Sequence, residues 1–264
     1  MVVTSTVPAE LSPALGSALD LAGRTVVITG ANSGIGAAVA LGLGRMGMNV
    51  VGVARRTDKL EAVGLAAKEQ GSTFLAVGAD VTDEDQLAAA MDRTVETFGG
   101  IDCVVANAGI AAVQPALDMP AEDFRSVLDV NISGVFLTAR TAARRMTGGG
   151  TMVLTSSSFA KRGFNDWAPY NASKAAVSML AQTLTQEWVA KGIRVNAIAP
   201  TATLTDVNRA LFENPDFSAG VVAGIPSGRI MQTEELVLPV AFLLSPRNQM
   251  MIGQTLFVDG GQAL

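Results

Sequence analysis

The chain of 264 residues contains no histidine. A Ser-His-Asp triad, a histidine-ligated metal and a histidine general base are therefore excluded. Its one cysteine, Cys103, cannot close an intrachain disulfide or build a cysteine-rich zinc site. A chain without a disulfide framework suits a reducing, cytoplasmic setting. Charge is sparse, at 16% of residues, and mean hydropathy is +0.35, which argues against disorder. Lys and Arg number 19 against 24 Asp and Glu, so the net charge of −5 disfavours nucleic acid or an anionic membrane as the main partner. No apolar run reaches the ~18 residues needed to span a bilayer. The first twenty residues lack a basic segment followed by an apolar one, so no secretory signal is expected.

What is present is apolar material, 49% of the chain, arranged as short Val/Ile-rich runs alternating with Ala/Leu-rich segments. Strand-like runs are Thr25–Thr29, Asn49–Val53, Thr73–Gly78, Cys103–Ala106, Thr151–Thr155, Arg194–Ala199 and Thr255–Val258. Several are nearly continuous rather than alternating, the pattern of strands covered on both faces of a parallel sheet. Helical stretches between them include Ile35–Met46, Asp83–Phe98, Ala121–Met146, Tyr170–Lys191 and Glu234–Leu244. The alternation predicts an α/β fold with a doubly wound parallel sheet of about seven strands and helices on both faces. No linker divides it. Residues 1–20 read as a loosely held extension and 21–264 as one domain. The long connection Thr201–Gly224, with a short helix near Val207–Glu213, reads as a lid, because it follows the C-terminal end of a strand, where such sheets bind ligands. A plain surface excursion is the alternative.

The first strand runs into Gly30-Ala-Asn-Ser-Gly34-Ile-Gly36 and then a helix. Glycines there permit a tight turn and close approach of a ligand, and the helix start offers free N–H groups to a diphosphate. The same glycines could serve strand–helix packing alone. At the end of the second strand, where an acidic residue would bind adenosine ribose hydroxyls, stands Ala54, followed by Arg55 and Arg56. A guanidinium fork suits a 2′-phosphate, so NADP(H) is expected ahead of NAD(H). Both arginines could instead cap a solvated helix start.

The single tyrosine, Tyr170, stands four residues before Lys174, one turn along the same helical face. A phenol titrates near ~10 and is a poor base at neutrality, and a nearby ammonium favours the phenolate. The pair is a proton donor and acceptor built without histidine. Tyr and Lys also occur at this spacing by chance. Ser156-Ser157-Ser158 ends a strand upstream, and Asn131 interrupts an apolar helical segment. A serine-rich turn and a buried backbone-bonded asparagine are the plain readings of these.

From about Leu21 to Gly261 the chain resembles the short-chain dehydrogenase/reductase family, whose fold is of the Rossmann type. Thr29–Gly36 resembles its TGxxxGxG turn, Asp80-Val81 its adenine contact after the third strand, and Asn107-Ala108-Gly109 its motif after the fourth. Asn131, Ser157, Tyr170 and Lys174 match the catalytic tetrad, with Ser157 selected by standing thirteen positions before Tyr170, and Val258–Gly261 matches the C-terminal ending. The resemblance implies a cofactor site of Gly30, Asn32, Ser33, Gly34, Ile35, Gly36, Arg55, Arg56, Asp80, Val81, Asn107, Ala108, Gly109, Tyr170, Lys174, Pro200, Thr203 and Thr205, and no metal. It implies that Tyr170 moves the proton, Ser157 orients the substrate oxygen, Lys174 holds the nicotinamide ribose and lowers the Tyr170 pKa, and Asn131 holds a relay water. Helices Ala121–Met146 and Tyr170–Lys191 would join subunits in a homotetramer or homodimer.

Two positions depart from the family pattern. Thr201 follows Pro200 where glycine is usual, and Ser33 stands where NADP-preferring members carry a base. For the substrate, Phe159, Phe164, Trp167, Phe212 and Phe217, with Lys161, Arg162 and Asp166, border the candidate pocket; the aromatics could equally hold the lid to the body. A weaker likeness to gluconate 5-dehydrogenase-like enzymes and to 3-oxoacyl thioester reductases implies a secondary alcohol or ketone, with a polyol, sugar or sugar acid ahead. Other classes are a non-catalytic NADP sensor on the same fold and a methyltransferase using S-adenosylmethionine, which would prefer an acid at Ala54. A P-loop kinase is excluded, since no Gly-Lys-Ser/Thr follows the glycines.

Overall fold

The computed structural model describes residues 12–205 and 208–264. In chain order the elements are α1 (Ser12–Ala18), β1 (Thr25–Thr29), α2 (Gly34–Arg45), β2 (Asn49–Ala54), α3 (Thr57–Glu69), β3 (Phe74–Gly78), α4 (Glu84–Phe98), β4 (Cys103–Ala106), α5 (Ala121–Leu128), α6 (Gly134–Ala143), β5 (Gly150–Thr155), α7 (Ala168–Trp188), β6 (Ile193–Pro200), β7 (Thr203–Leu204), α8 (Arg209–Phe212), α9 (Pro215–Ala223), β8 (Met231–Gln232), α10 (Val237–Leu244) and β9 (Thr255–Val258).

Seven strands form one parallel sheet in the order β3-β2-β1-β4-β5-β6-β9. The two-residue strands β7 and β8 pair separately. Period-two alternation divides the core. Val26 and Ile28 of β1 join Leu43, Val240 and Leu244 on one face. Val27 joins Val104, Ala139, Leu154 and Val177 on the other. Every residue of β1 is buried, so each Val or Ile there contributes ~1.5–3 kcal/mol from leaving water. The strand order reverses between β1 and β4, and the C-terminal ends on either side of that switch point open the crevice where open α/β sheets bind ligands.

Local chemistry sets the helix ends. Asp83 caps α4 by accepting from the Gln86 N–H, and Gly99, at φ 82°, stops it in the left-handed conformation. At the start of α10, Gln232 and Glu235 form a reciprocal capping box around a 3₁₀ turn at Thr233–Leu236.

Three expectations are corrected. The segment expected as one helix over Ala121–Met146 is interrupted by a π-helical turn at Asp129–Ser133 and ends, as α6, at Ala143. The helix expected from Glu234 begins as that 3₁₀ turn. From Ser12 onward the supposed loose extension is a helix packed on α2. Leu21 N–H returns to the Gly16 carbonyl at 2.8 Å, Ser245 Oγ donates to the Leu19 carbonyl at 2.7 Å, and a methyl at Gly16 would lie 1.9 Å from the Met46 carbonyl oxygen. Residues 1–11 lie outside the described residues. In the Thr201–Gly224 connection, α8 falls within the short helix expected near Val207–Glu213, Val207 itself lying outside the described residues, and α9 was not foreseen.

Candidate active site

The glycine-rich turn joins β1 to α2 at the switch point. Gly30 has φ 69°, and a Cβ there would lie 2.9 Å from the Ala108 Cα. Gly36 admits no side chain, because a Cβ would sit 2.2 Å from the Gly30 carbonyl oxygen. Ser33 begins α2 with no side-chain cap, so the first N–H groups of that helix keep their donors for an anion. Thr29 Oγ1 accepts from the Asn107 and Ala108 N–H groups at 3.1 and 3.3 Å, and Asn107 Nδ2 returns to the Thr29 carbonyl at 3.2 Å. The Gly30–Gly36 turn and the Asn107–Gly109 turn thus form one cradle that a Cβ would fill. Ile35 lies on the first turn of α2 within it. This geometry fits the diphosphate of a dinucleotide.

The arginines after β2 diverge. Arg55, its side chain 67% exposed, pairs with Asp80 at 3.5 Å. Asp80 also accepts from the Thr82 N–H and hydroxyl at 3.0 and 2.8 Å, and these bonds, ahead of Arg55, hold its carboxyl below the usual range. With the Asn32 amide oxygen turned toward it, Arg56 donates two hydrogen bonds to Asn32 at 2.9 and 3.0 Å. Val81, buried behind Asp80, packs on Gly134 at the start of α6.

The proton-handling residues gather from β5, α7 and the π turn. Ser157 follows β5; its hydroxyl accepts from the Phe159 N–H at 3.2 Å and donates to the Pro200 carbonyl at 3.5 Å. Tyr170 and Lys174 stand on the first two turns of α7, with Lys174 Nζ 5.4 Å from the phenol ring centre. Lys174 is buried and donates to the Thr155 carbonyl at 2.8 Å. Ser156 fixes the backbone there by donating to the Lys174 carbonyl at 2.8 Å.

Burial sets the charges. It lowers Lys174 to about 8. It pushes Tyr170 up from its ordinary value, with the Ser157 hydroxyl acting in the opposite direction. The resemblance implies that the Lys174 ammonium lowers the phenol; in the protein alone burial is the larger cause and the direction is upward.

Asn131 sits in the π turn, fully buried. Its Oδ1 accepts from the Ile110 N–H at 2.8 Å, and its Nδ2 donates to the Ile110 carbonyl at 2.9 Å and to Ser173 Oγ at 3.0 Å. The extra residue of the π turn re-aims this amide at the neighbouring turn. A Cβ at Gly109 would lie 3.2 Å from Asn131 Oδ1 and 3.6 Å from Lys174 Nζ, so this turn lies against both groups.

The connection after β6 reaches the cradle. Thr205 packs its methyl 3.0 Å from a Cβ position on Gly34. Thr203 Oγ1 donates to the Thr201 carbonyl at 2.9 Å, and Asn208 closes the turn by donating to the Thr203 carbonyl and accepting from the Thr205 N–H at 2.9 and 2.7 Å. The aromatics of the 159–170 loop pack on one another. Phe159 stacks on Phe164 at 4.0 Å and meets Trp167 and Tyr170 edge-on at 5.3 and 5.7 Å. Phe212 and Phe217 pair within the 201–224 segment at 5.4 Å. Lys161 lies over Phe257 and Arg162 over Phe164. Asp166, at φ 68°, offers its carbonyl to the Gln114 N–H at 2.9 Å, tying the two sides of the pocket.

Sequence reasoning passed over Ser173, Asn208 and Gln262. Ser173 and Gln262 act through side chains distant in sequence, and Asn208 closes a turn from within it; no local motif marks any of them.

Residues 30–263 match the profile of the family described as Enoyl-(Acyl carrier protein) reductase. The chain belongs to the short-chain dehydrogenase/reductase family. Among its relatives are 3beta-hydroxysteroid dehydrogenase 1 of Eggerthella lenta, 40% identical over 93% of this chain and 95% of the relative, and 2-dehydro-3-deoxy-D-gluconate 5-dehydrogenase of Escherichia coli, 34% identical over 93% and 97%. A solved structure of a gluconate 5-dehydrogenase from Burkholderia cenocepacia in complex with NADP and tartrate superposes with a TM-score of 0.88, at 35% identity over 93% of this chain and 98% of the other. As a member of the short-chain dehydrogenase/reductase family, the chain is an oxidoreductase acting between an alcohol and a ketone. Among the described residues there is no helix long and apolar enough to cross a membrane, and no cluster of acidic or cysteine side chains suited to a metal.

Proposed function

We propose that the chain is an NADP(H)-dependent enzyme that interconverts a secondary alcohol and a ketone, with a polyol, sugar or sugar acid as substrate. What supports this is that Asn131 and Lys174, with Tyr170 beside Lys174, lie next to Gly109, in the turn that Thr29 ties to the glycine-rich turn before α2. A bound nicotinamide dinucleotide supplies or accepts the hydride. Gly30–Gly36 with Asn107–Gly109 would hold its diphosphate side, Asp80 and Val81 its adenine, and Lys174, Pro200, Thr203 and Thr205 its nicotinamide side.

The chain's own chemistry is proton transfer. Tyr170 gives its hydroxyl proton to the carbonyl oxygen in reduction and takes it back from the alcohol in oxidation. Ser157 donates a hydrogen bond to that oxygen and fixes its direction. Lys174 holds a positive charge close to the phenol. Asn131 pins the Ile110 backbone against Lys174 and keeps open the path by which a water resupplies the proton. The Thr201–Gly224 segment acts as the lid, and α5, α6 and α7 supply the contacts of a homotetramer, for which Met179, 58% exposed on α7, is an apolar contact point. A reducing, cytoplasmic setting suits the buried thiol of Cys103.

NADP(H) preference is supported by Ala54 in place of an acid at the end of β2 and by Arg55 and Arg56 directly after it. Arg55 leaves Asp80, and Arg56 leaves Asn32, to grip a 2′-phosphate. Replacing both arginines by alanine is expected to lower kcat/KM for NADPH by about 10–100-fold, the scale of one or two charge-assisted bonds, while kcat/KM for NADH changes less than about threefold. Steady-state rates with both cofactors check this, and a wild type that prefers NADH overturns it. For the substrate, the aromatic packing around Tyr170 favours a second reading, a cyclic secondary alcohol, in line with the steroid-acting relative. A panel of sugar acids, polyols, cyclic ketones and acyl thioesters, followed by NADPH absorbance, separates these; turnover of none of them contradicts both readings.

A further inference from the structure

The C-terminal segment makes contacts that the proton chemistry does not use. Gln262 is 4% exposed, and its side-chain carbonyl accepts two hydroxyl groups, Ser158 Oγ at 2.7 Å and Thr201 Oγ1 at 2.7 Å. Both donors are themselves buried. Ser158 is the neighbour of Ser157. Thr201 is the neighbour of Pro200, whose carbonyl accepts from Ser157 Oγ. One amide therefore joins the two backbone segments that flank the Ser157 hydroxyl.

The amide is rigidly presented. Asp259 accepts from the Gly261 and Ala263 N–H groups at 3.0 and 2.8 Å, folding the segment into a tight turn around Gln262. The same segment holds the start of the Thr201–Gly224 connection and the chain just beyond its end. Thr201 N–H donates to the Val258 carbonyl at 3.3 Å, and Ser227 N–H donates to the Gly260 carbonyl at 3.0 Å. The Gln262 amide nitrogen lies toward Gly224, 4.0 Å from a Cβ position there. The threonine at 201 now has a physical role, since a glycine has no hydroxyl to offer to Gln262.

We propose that Gln262 is a positioning residue for the reaction: its carbonyl clasps Ser158 to Thr201 and so holds the Ser157 hydroxyl in register with the phenol of Tyr170 and with the base of the lid. The clasp rests on the reading of Ser157 and Tyr170 as the site of alcohol and carbonyl chemistry. It acts through Ser157 and touches no reacting atom. Losing the acceptor leaves two buried hydroxyls without their partner and removes the tie between the two backbone segments that flank Ser157.

Tyr170 is the only tyrosine, so phenolate absorbance titrates it alone, and the test does not depend on knowing the substrate. Lys174 stays in every variant, so its charge is common to all. Ser157→Ala raises the phenolate midpoint by removing the hydroxyl that favours the phenolate. The clasp predicts that Gln262→Leu also raises it, by no more than Ser157→Ala does, and that the Ser157→Ala/Gln262→Leu double variant moves no further than Ser157→Ala. An unmoved midpoint in Gln262→Leu, or shifts that add in the double variant, overturns the proposal. Thr201→Val, which keeps the shape and removes one hydroxyl, is measured alongside and is expected to move the midpoint the same way; it carries the test if Gln262→Leu does not fold. With a ketone reduced by wild type, Gln262→Leu is expected to lower kcat about tenfold and leave KM for NADPH within about twofold. A Tyr170→Phe variant as active as wild type would sink the underlying reading of the site while leaving the titration result for the clasp intact.

Discussion

Tyr170→Phe is expected to lower kcat by about a thousandfold, in the range attributed to a positioned proton donor, while NADPH binds within about twofold of wild type. The change removes one oxygen and keeps the ring. The ring's packing against Phe159 and Trp167, at 5.7 and 5.5 Å, is therefore retained, and a loss of rate cannot be assigned to collapse of the aromatic cluster. The chain has no histidine, and Cys103 is buried with its thiol held up to about 12, so neither kind of group takes over the proton at neutral pH; the neighbouring amine of Lys174, at about 8, is tested separately below. Steady-state turnover with a ketone from the substrate panel, together with NADPH fluorescence, checks both halves. A variant that keeps more than a few per cent of kcat shows that another group moves the proton.

Lys174→Met is expected to lower kcat/KM by about a hundredfold or more and to weaken cofactor binding as well, because the ammonium serves the phenol and the ribose together. The same variant carries a stability signature with a definite sign. Burial lowers Lys174 from its ordinary value to about 8, so the folded chain binds fewer protons than the unfolded chain between about pH 8 and the ordinary lysine value. Below pH 8 the buried charge carries a constant penalty. As pH rises through 8 that penalty is relieved, and the contribution of Lys174 to stability increases. The difference in Tm, wild type minus Lys174→Met, should therefore rise between pH 7 and pH 9.5. Thermal unfolding at a series of pH values without added cofactor measures it, and a difference that is flat or falls with pH contradicts the burial of this amine.

The strands were legible because burial on both faces leaves an unambiguous mark. β1 reads Thr-Val-Val-Ile-Thr with every position covered, and the same holds for most of β5 and β6. The site residues were legible where chemistry forces a residue type at a fixed spacing, as at Gly36, where no Cβ fits, and at Tyr170 and Lys174, where one helical turn sets the approach. The π turn at Asp129–Ser133 was not, because its apolar residues continue the helical period and no proline or glycine announces it before Gly134. Only the polar amide of Asn131, out of place in an apolar stretch, hinted at it. The upward shift of Tyr170 was also hidden: spacing shows that an ammonium is near, but not that Phe159 and Trp167 pack on the phenol from the preceding loop. Gln262 was invisible for a simpler reason. Its partners lie 104 and 61 residues away, and nothing in its own neighbourhood distinguishes it from an exposed glutamine near a chain end.

The most direct measurement is the phenolate titration of Tyr170 with and without saturating NADP⁺, in wild type and in Lys174→Met. The account predicts a midpoint above the ordinary phenol value in the protein alone, a fall of at least about one unit in wild type when the cofactor is added, and a much smaller fall in the lysine variant. A midpoint that does not respond to the cofactor, or that falls equally without the lysine, would contradict it.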